Sequence, residues 1–264
     1  MDSASRAADF LAELRFAQRT EDDIPAEFRP KDPAAAYAIQ EALLQRLLAR
    51  HGGYPIGYKI GCTNASAQKL LNTPTPVYGR LLSSFVYPSP ARLKSSAFTI
   101  LGIEAEFAFE IAKDVPVVNG RHTPETIGEY IGKVLPAIEI VGHRLADWSK
   151  FDALSLIADN VIHEAWIPGI GAGAWQALDL TTHAVRLLVN GKVTLTGRGD
   201  AVLGHPLHAL VWLANELPRW GRSLKAGEFV TTGTCTDIYV ATARDKIQAD
   251  FGALGSVEVM FGGG

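Results

Sequence analysis

The chain has 264 residues, 47% of them hydrophobic, enough for one large domain or a catalytic domain with a small appendage. Its 25 Lys and Arg are scattered against 28 Asp and Glu, for a formal net charge of -3, so no basic footprint for nucleic acid is present and a small-molecule partner is expected. The opening MDSASRAADF lacks a signal-peptide apolar segment, and no apolar run approaches the roughly 18 residues of a membrane span, which predicts a soluble, cytoplasmic protein without a membrane partner.

Residues 3–20 carry Phe10, Leu11, Leu14 and Ala17 at helical spacing, predicting one amphipathic helix. A second helix is marked at both ends. Asp32 can cap it, Pro33 suits its first turn, Ile39, Leu43 and Leu47 form its stripe, and Gly52-Gly53 stop it. From Tyr54 the pattern turns to short β-type runs divided by Gly and Pro, through PIGYKIGCTN and TPTPVYGRLLSSFVYPSP, with a subdomain boundary expected near residue 70. This gives a mostly helical part at 1–70 and a catalytic domain at 71–264.

LGIEAEFAFEI at Leu101–Ile111 reads as a strand in which Ile103, Ala105, Phe107 and Phe109 face one way and Glu104 and Glu106 the other. Thr123-Pro124 opens a short helix ending near Gly132, and LPAIEIVG supplies another core strand with Glu139 inside it. FDALSLIADNVIHEAWIPG is read as a loop into a strand. Asn190-Gly191, between two β-type runs, predicts a hairpin. A helix is expected over Pro206–Trp220, stopping at Gly221, and the tail is strand-rich. Few helices separate these strands, so a closed or sandwiched mixed sheet fits better than a doubly wound parallel one.

Two acids in an apolar strand demand a reason, because burying an unpaired carboxylate costs several kcal/mol. Glu104 and Glu106 should face water, meet cations, or hold a metal ion. With Glu139 they resemble an oxygen-ligand site for a divalent cation, Mg²⁺ or Mn²⁺. Glu110 is in phase but far along the strand, and is read as structural. Lys59, flanked by Tyr58 and Ile60 between glycines, is either a snorkelling lysine or a cation beside the acid cluster that contacts substrate and moves a proton. Among the seven histidines, His163 is the candidate general base, while His143 and His205 stand beside stretches of interest. Cys62 and Cys235 lack CxxC spacing, which argues against a disulfide scaffold or structural zinc and fits two buried, reduced thiols. In TTGTCTD at 231–237, hydroxyls and amides could satisfy a turn or grip a ligand, and Thr234 is the candidate contact. GIGAG at Gly169–Gly173 lacks the full dinucleotide pattern, and no GxSxG elbow occurs.

Together GYKIGCTN, the ExE pair of EAEFAFEI, LPAIEIVGHR, the ADN of LIADN, GRGDAVLGHPLHALVWLANEL and GALGSVEVMF resemble the bacterial 2-hydroxypenta-2,4-dienoate (2-keto-4-pentenoate) hydratases. Oxo-heptenedioate hydratases and 4-oxalocrotonate decarboxylases are relatives within the same fumarylacetoacetate hydrolase superfamily. The resemblance implies an α+β fold, a mixed β-roll or barrel-like catalytic core with a helical amino-terminal part, a divalent cation and a homo-oligomer. It implies that Glu104, Glu106 and Glu139 are the metal carboxylates, that Lys59 is the lysine of the GxKIG motif, and that Asp159 and Asn160 form part of the pocket wall. The sequence departs at Val77-Tyr78-Gly79, where hydratases commonly carry Asp-Phe-Gly, at Val161-Ile162-His163 after ADN, and at TGTCTD. The expected reaction is hydration of a 2-hydroxy-alka-2,4-dienoate to a 4-hydroxy-2-oxo acid in aromatic catabolism. Alternatives are decarboxylation of a 2-oxo diacid, C–C hydrolysis of an acylpyruvate, or a non-catalytic metal-binding partner subunit.

Overall fold

The computed structural model describes residues 2–146 and 151–262. The helical opening comprises α1 (Ser3–Ala17) and α2 (Pro33–His51). Then follow β1 (Pro55–Gly61), α3 (Ala65–Leu70), β2 (Val77–Leu82), β3 (Ala91–Lys94), β4 (Gly102–Ile111), α4 (Pro124–Ile127) and β5 (Ile131–Val141). The second half runs α5 (Ala153–Ala158), β6 (His163–Pro168), β7 (Ala184–Val189), β8 (Lys192–Arg198), α6 (Pro206–Glu216), β9 (Phe229–Thr234), β10 (Tyr239–Val240), β11 (Lys246–Asp250) and β12 (Ser256–Gly262). Among the described residues no helix is long and apolar enough to cross a membrane.

The helices form where local chemistry dictates. Asp32 accepts a hydrogen bond from the Ala35 amide, Pro33 fills the first turn, and the Gly52 amide closes on the Leu48 carbonyl. Asn190 and Gly191 adopt positive φ of 51° and 81°, the turn that joins β7 to β8 with the twist a hairpin needs. At α6 the His205 ring accepts the Leu207 amide, and the helix passes into a 3₁₀ turn that ends at Gly221 with φ 66°. Two short helices depart from the expectation. ASAQKL and ALSLIA are helical, capped by Asn64 and Asp152, although ALSLIA was expected to be loop. Six residues are too few to display a 3.6-residue stripe, and four of the six in α5 are buried, so no polar face marks the period.

The strands build two mixed sheets. One has the order β2-β1-β9-β4-β5-β6, with β10 also pairing β4; the other has the order β3-β12-β11-β7-β8. Parallel pairings at β1–β9 and β3–β12 sit among antiparallel ones. The main core lies between the sheets, where Ile103, Phe107, Ile138 and Ile140 meet Phe251, Val257 and Val259, and Phe107 packs edge-on against Phe251 at 5.1 Å between centroids. Each such side chain contributes about 1.5–3 kcal/mol on burial. A second core joins α1, α2 and α5 to Val77 and Leu82 of β2. Ala7, Ala8 and Ala12 are its small contacts on α1, opposite Ile39, Leu43 and Leu47 of α2. An α+β architecture with a helical layer on a curled mixed sheet results.

Candidate active site

The alternation of β4 places its apolar residues in the main core and sends Glu104 and Glu106 to the other face. Antiparallel register then sets Glu104 directly opposite Glu139 on β5, while Glu106 lies across from Thr234 on β9. Like charges opposite one another are destabilising in a sheet, and here three carboxylates converge. One oxygen from each of Glu104, Glu106 and Glu139 lies within 4.8 Å of the others. Glu106 and Glu139 are fully buried, and Glu104 is partly open.

Lys59 supplies the compensating charge. On β1 it is three strands from β5 in the sheet order, roughly 14 Å at ordinary strand spacing, yet the curled sheet brings its Nζ to 3.3 Å from Glu139 Oε1. Although burial disfavours the ammonium, Glu139, Glu104 and Glu106 together hold its pKa above the usual lysine value. His163, first residue of β6, places Nδ1 at 2.8 Å from the same Glu139 oxygen. Burial pushes the His163 pKa down despite that carboxylate. Glu139 is also opposed by burial, but Lys59 and His163 hold its carboxyl below the usual range.

Glu106 has different partners. The Thr231 hydroxyl and the Gly233 amide, at 3.0 Å for the latter, both donate to Oε2. Burial, then Glu139 and Glu104, push the Glu106 carboxyl well up, and burial raises Glu104 to about 7. Glu106 Oε1, Glu139 Oε2 and His163 Nε2 are buried without a hydrogen-bond partner. The two carboxylate oxygens, unpartnered within one acid cluster, are a costly arrangement for an isolated protein and a fitting one for a cation ligand set. Gly233 permits the approach: its φ is 90°, and a Cβ there would lie 2.1 Å from Thr63 Oγ1.

A cavity of about 210 Å³ opens above the cluster, with Lys59, Glu104, Thr63, Gly233 and Thr234 in its wall. Thr234 therefore stands at the cavity, with its hydroxyl donating to the Thr236 carbonyl at 2.9 Å. Asp159 and Asn160 occupy other positions and do not belong to the lining. Asp159 is wholly buried between Arg15 and Arg144, which reach its two carboxylate oxygens at 3.0 and 2.8 Å. Asn160 clamps the backbone of Arg80 on β2, its Oδ1 accepting the amide at 2.7 Å and its Nδ2 donating to the carbonyl at 3.0 Å. Both residues meet protein groups where substrate contact was expected.

Their work is architectural. Asn160, Val161 and Ile162 take φ of 52°, 51° and 52°, a run of left-handed residues that is strained for β-branched side chains. The Asp159–arginine contacts and the Asn160 clamp hold this turn, whose Val161 carbonyl accepts from Lys59 Nζ at 3.1 Å and whose next residue is His163. Gly79 and Gly61 leave room for it: a Cβ at Gly79 would lie 2.8 Å from the Asn160 carbonyl oxygen, and one at Gly61 2.7 Å from Val161. Sequence reasoning missed Arg15, Arg144, Thr231 and the Val161 carbonyl. Only TTGTCTD gave a local signal.

The remaining candidates are structural. Glu110 pairs with Lys133 at 3.5 Å across the β4–β5 ladder, and the His143 Nδ1 meets the Leu145 carbonyl at 2.8 Å. Both thiols are buried and free; burial pushes Cys62 up to about 11 and Cys235 higher still, which leaves little thiolate.

Comparison with known proteins agrees with this architecture. The fumarylacetoacetate (FAA) hydrolase C-terminal model matches residues 62–261. A 2-keto-4-pentenoate hydratase of Paraburkholderia phymatum is 32% identical over 269 residues, covering 99% of each chain. A 4-oxalocrotonate decarboxylase of Pseudomonas putida is 34% identical over 229 residues, covering 86% of this chain and 85% of its own. The structure of 4-oxalocrotonate decarboxylase from Pseudomonas putida G7, complexed with magnesium and adipate, superposes with a TM-score of 0.90 at 29% identity, over 98% of this chain and 97% of that one. A fumarylpyruvate hydrolase from Pseudomonas aeruginosa shares the fold, with a TM-score of 0.60 at 16% identity. The buried acid cluster thus sits in a fold shared with these enzymes, and the chain belongs to the fumarylacetoacetate hydrolase family of enzymes.

Proposed function

We propose that the protein is a metal-dependent hydro-lyase that adds water to a 2-hydroxy-alka-2,4-dienoate, giving a 4-hydroxy-2-oxo acid. One observation carries the reading: three carboxylates have ligand oxygens within 4.8 Å, two of them are buried with one oxygen each lacking a hydrogen-bond partner, and Glu104 and a charged Lys59 line a small cavity beside them. Glu104, Glu106 and Glu139 would hold Mg²⁺ or Mn²⁺. The cation, when bound, stabilises negative charge developing on substrate oxygens.

The chain's own groups do the rest. Lys59, kept as an ammonium by the three acids, donates to the substrate carboxylate or its 2-oxygen and assists ketonisation. The Val161 carbonyl and Glu139 aim that ammonium. His163 orients Glu139 through Nδ1 from behind the carboxylate, outside the cavity lining. Thr234 borders the space where the substrate sits. The cytoplasm as location and a homo-oligomeric state belong to the same proposal, and sedimentation of the purified protein reads the latter.

Glu106→Gln tests the assignment. Loss of dienoate absorbance in Mg²⁺ should slow at least about a hundredfold, in line with removal of a group that stabilises transition-state charge. Turnover near wild type would sink it. The decarboxylase relatives favour a second reading, decarboxylation of a vinylogous 2-oxo diacid with the same residues. Carbon dioxide release marks that reaction, and water addition without it marks hydration.

A further inference from the structure

The cavity wall is uneven in chemistry. At its floor are Lys59 and Glu104. Beyond them its lining holds the polar side chains of three threonines and Asn64, the apolar Leu70, Phe151, Leu156, Ile162 and Ile238, and one further acid, Asp237. Among the described lining residues Lys59 is the only cation; its ammonium contacts Glu139 and the Val161 carbonyl, and its remaining donor serves the polar head of the substrate rather than the tail. Leu70 and Ile238 are 71% and 50% exposed at the mouth, large apolar side chains left facing the route a ligand tail would take. Asp237 is exposed and makes no ion pair with a described residue, so its charge is free to act on whatever passes.

We propose that this cavity selects a 2-oxo acid or dienoate whose tail is apolar and uncharged, and that Asp237 with the apolar wall rejects a substrate ending in a second carboxylate. The inference rests on the hydratase reading of the same site and narrows its substrate class. A tail of carbon atoms exchanges water for Leu156, Ile162 and Phe151, which is favourable in proportion to area buried. A terminal carboxylate would instead lose hydration against those side chains with no further cation among the described lining residues to replace it, and would meet the like charge of Asp237. The polar head is recognised identically in both cases, so discrimination lies wholly in the tail.

The test uses two saturated acids of equal length that differ only at the end, 2-oxohexanoate and 2-oxoadipate, titrated calorimetrically into the full-length protein with Mg²⁺. Binding should favour 2-oxohexanoate by at least about tenfold. In Asp237→Lys the ratio should shrink by at least about threefold, through tighter binding of 2-oxoadipate. Equal or tighter binding of 2-oxoadipate by the wild type overturns the proposal, as does failure of 2-oxohexanoate to bind; an unchanged ratio in Asp237→Lys removes Asp237 from it. Turnover of the matching dienoates is read separately. A tail preference in binding with hydration of neither dienoate sinks the reaction assigned above and leaves the tail selectivity standing.

Discussion

Glu106 shows how a single buried acid is kept in place. Its Oε2 takes both the Thr231 hydroxyl and the Gly233 amide, so the carboxylate plane is fixed and Oε1 is turned into the cluster. Thr231→Val keeps the shape but removes one donor. Unfolding free energy should fall by about 1–3 kcal/mol, the usual cost of a buried partner lost, and Mg²⁺ affinity should drop about 10–100-fold because the ligand is no longer oriented. Calorimetric titration with Mg²⁺ checks this; unchanged affinity would mean that Gly233 alone sets the plane. At this scale the sequence was informative where periodicity carried the message. Glu104, Glu106, Glu139 and Lys59 interrupt apolar strands, and an interruption is visible in one dimension. Thr231 opens the polar TTGTCTD run, but its importance comes from a partner 125 positions away, and the run alone does not report which acid it serves.

Among the elements, the turn from α5 to β6 joins the two cores. It lies over Gly61 and Gly79, takes three left-handed residues, and delivers both the Val161 carbonyl and His163 to the cluster. Such strain persists only where surrounding contacts over-determine it, and the contacts here are ionic. Asp159→Ala would leave the Arg15 and Arg144 guanidinium groups short of their shared carboxylate in a buried setting. We expect a loss of about 3–5 kcal/mol in urea unfolding. A midpoint equal to wild type would show that Glu164, which also contacts both arginines, suffices to hold them. The family resemblance implied a pocket-wall role for Asp159 and Asn160 of the ADN motif, whereas here their side chains meet the arginines and the Arg80 backbone. Arg15 gave no hint at all. On an amphipathic helix it resembles any solvent-facing cation, and its partner Asp159 is 144 residues distant. Caps, hairpin and strand alternation were readable because each depends on residues within a few positions.

For the molecule as a whole, the acid cluster is a destabilising feature that a cation would relieve. Glu104, Glu106 and Glu139 sit on β4 and β5, neighbouring strands of the larger sheet, with β9 and β10 pairing β4 and β6 pairing β5. Repulsion at that point opposes closure of the sheet, and Lys59 offsets only part of it, since burial and the neighbouring acids still push Glu104 to about 7 and push Glu106 well above its usual range. A ligand that binds the folded chain and not the unfolded one adds RT ln(1 + [L]/Kd), about 2.7 kcal/mol at a hundred times Kd. Saturating Mg²⁺ should therefore raise the melting temperature by roughly 5 °C for a chain of this size, and chelation should reverse the rise. Glu106→Gln separates this from a general ionic effect: with one carboxylate neutralised the apo protein should melt higher than apo wild type, and Mg²⁺ should add little. Equal Mg²⁺-induced shifts in wild type and Glu106→Gln would place the stabilising cation elsewhere on the molecule, and a lower apo melting temperature in the variant would show that Glu106 is held in the fold by its donors more strongly than it is repelled by its neighbours.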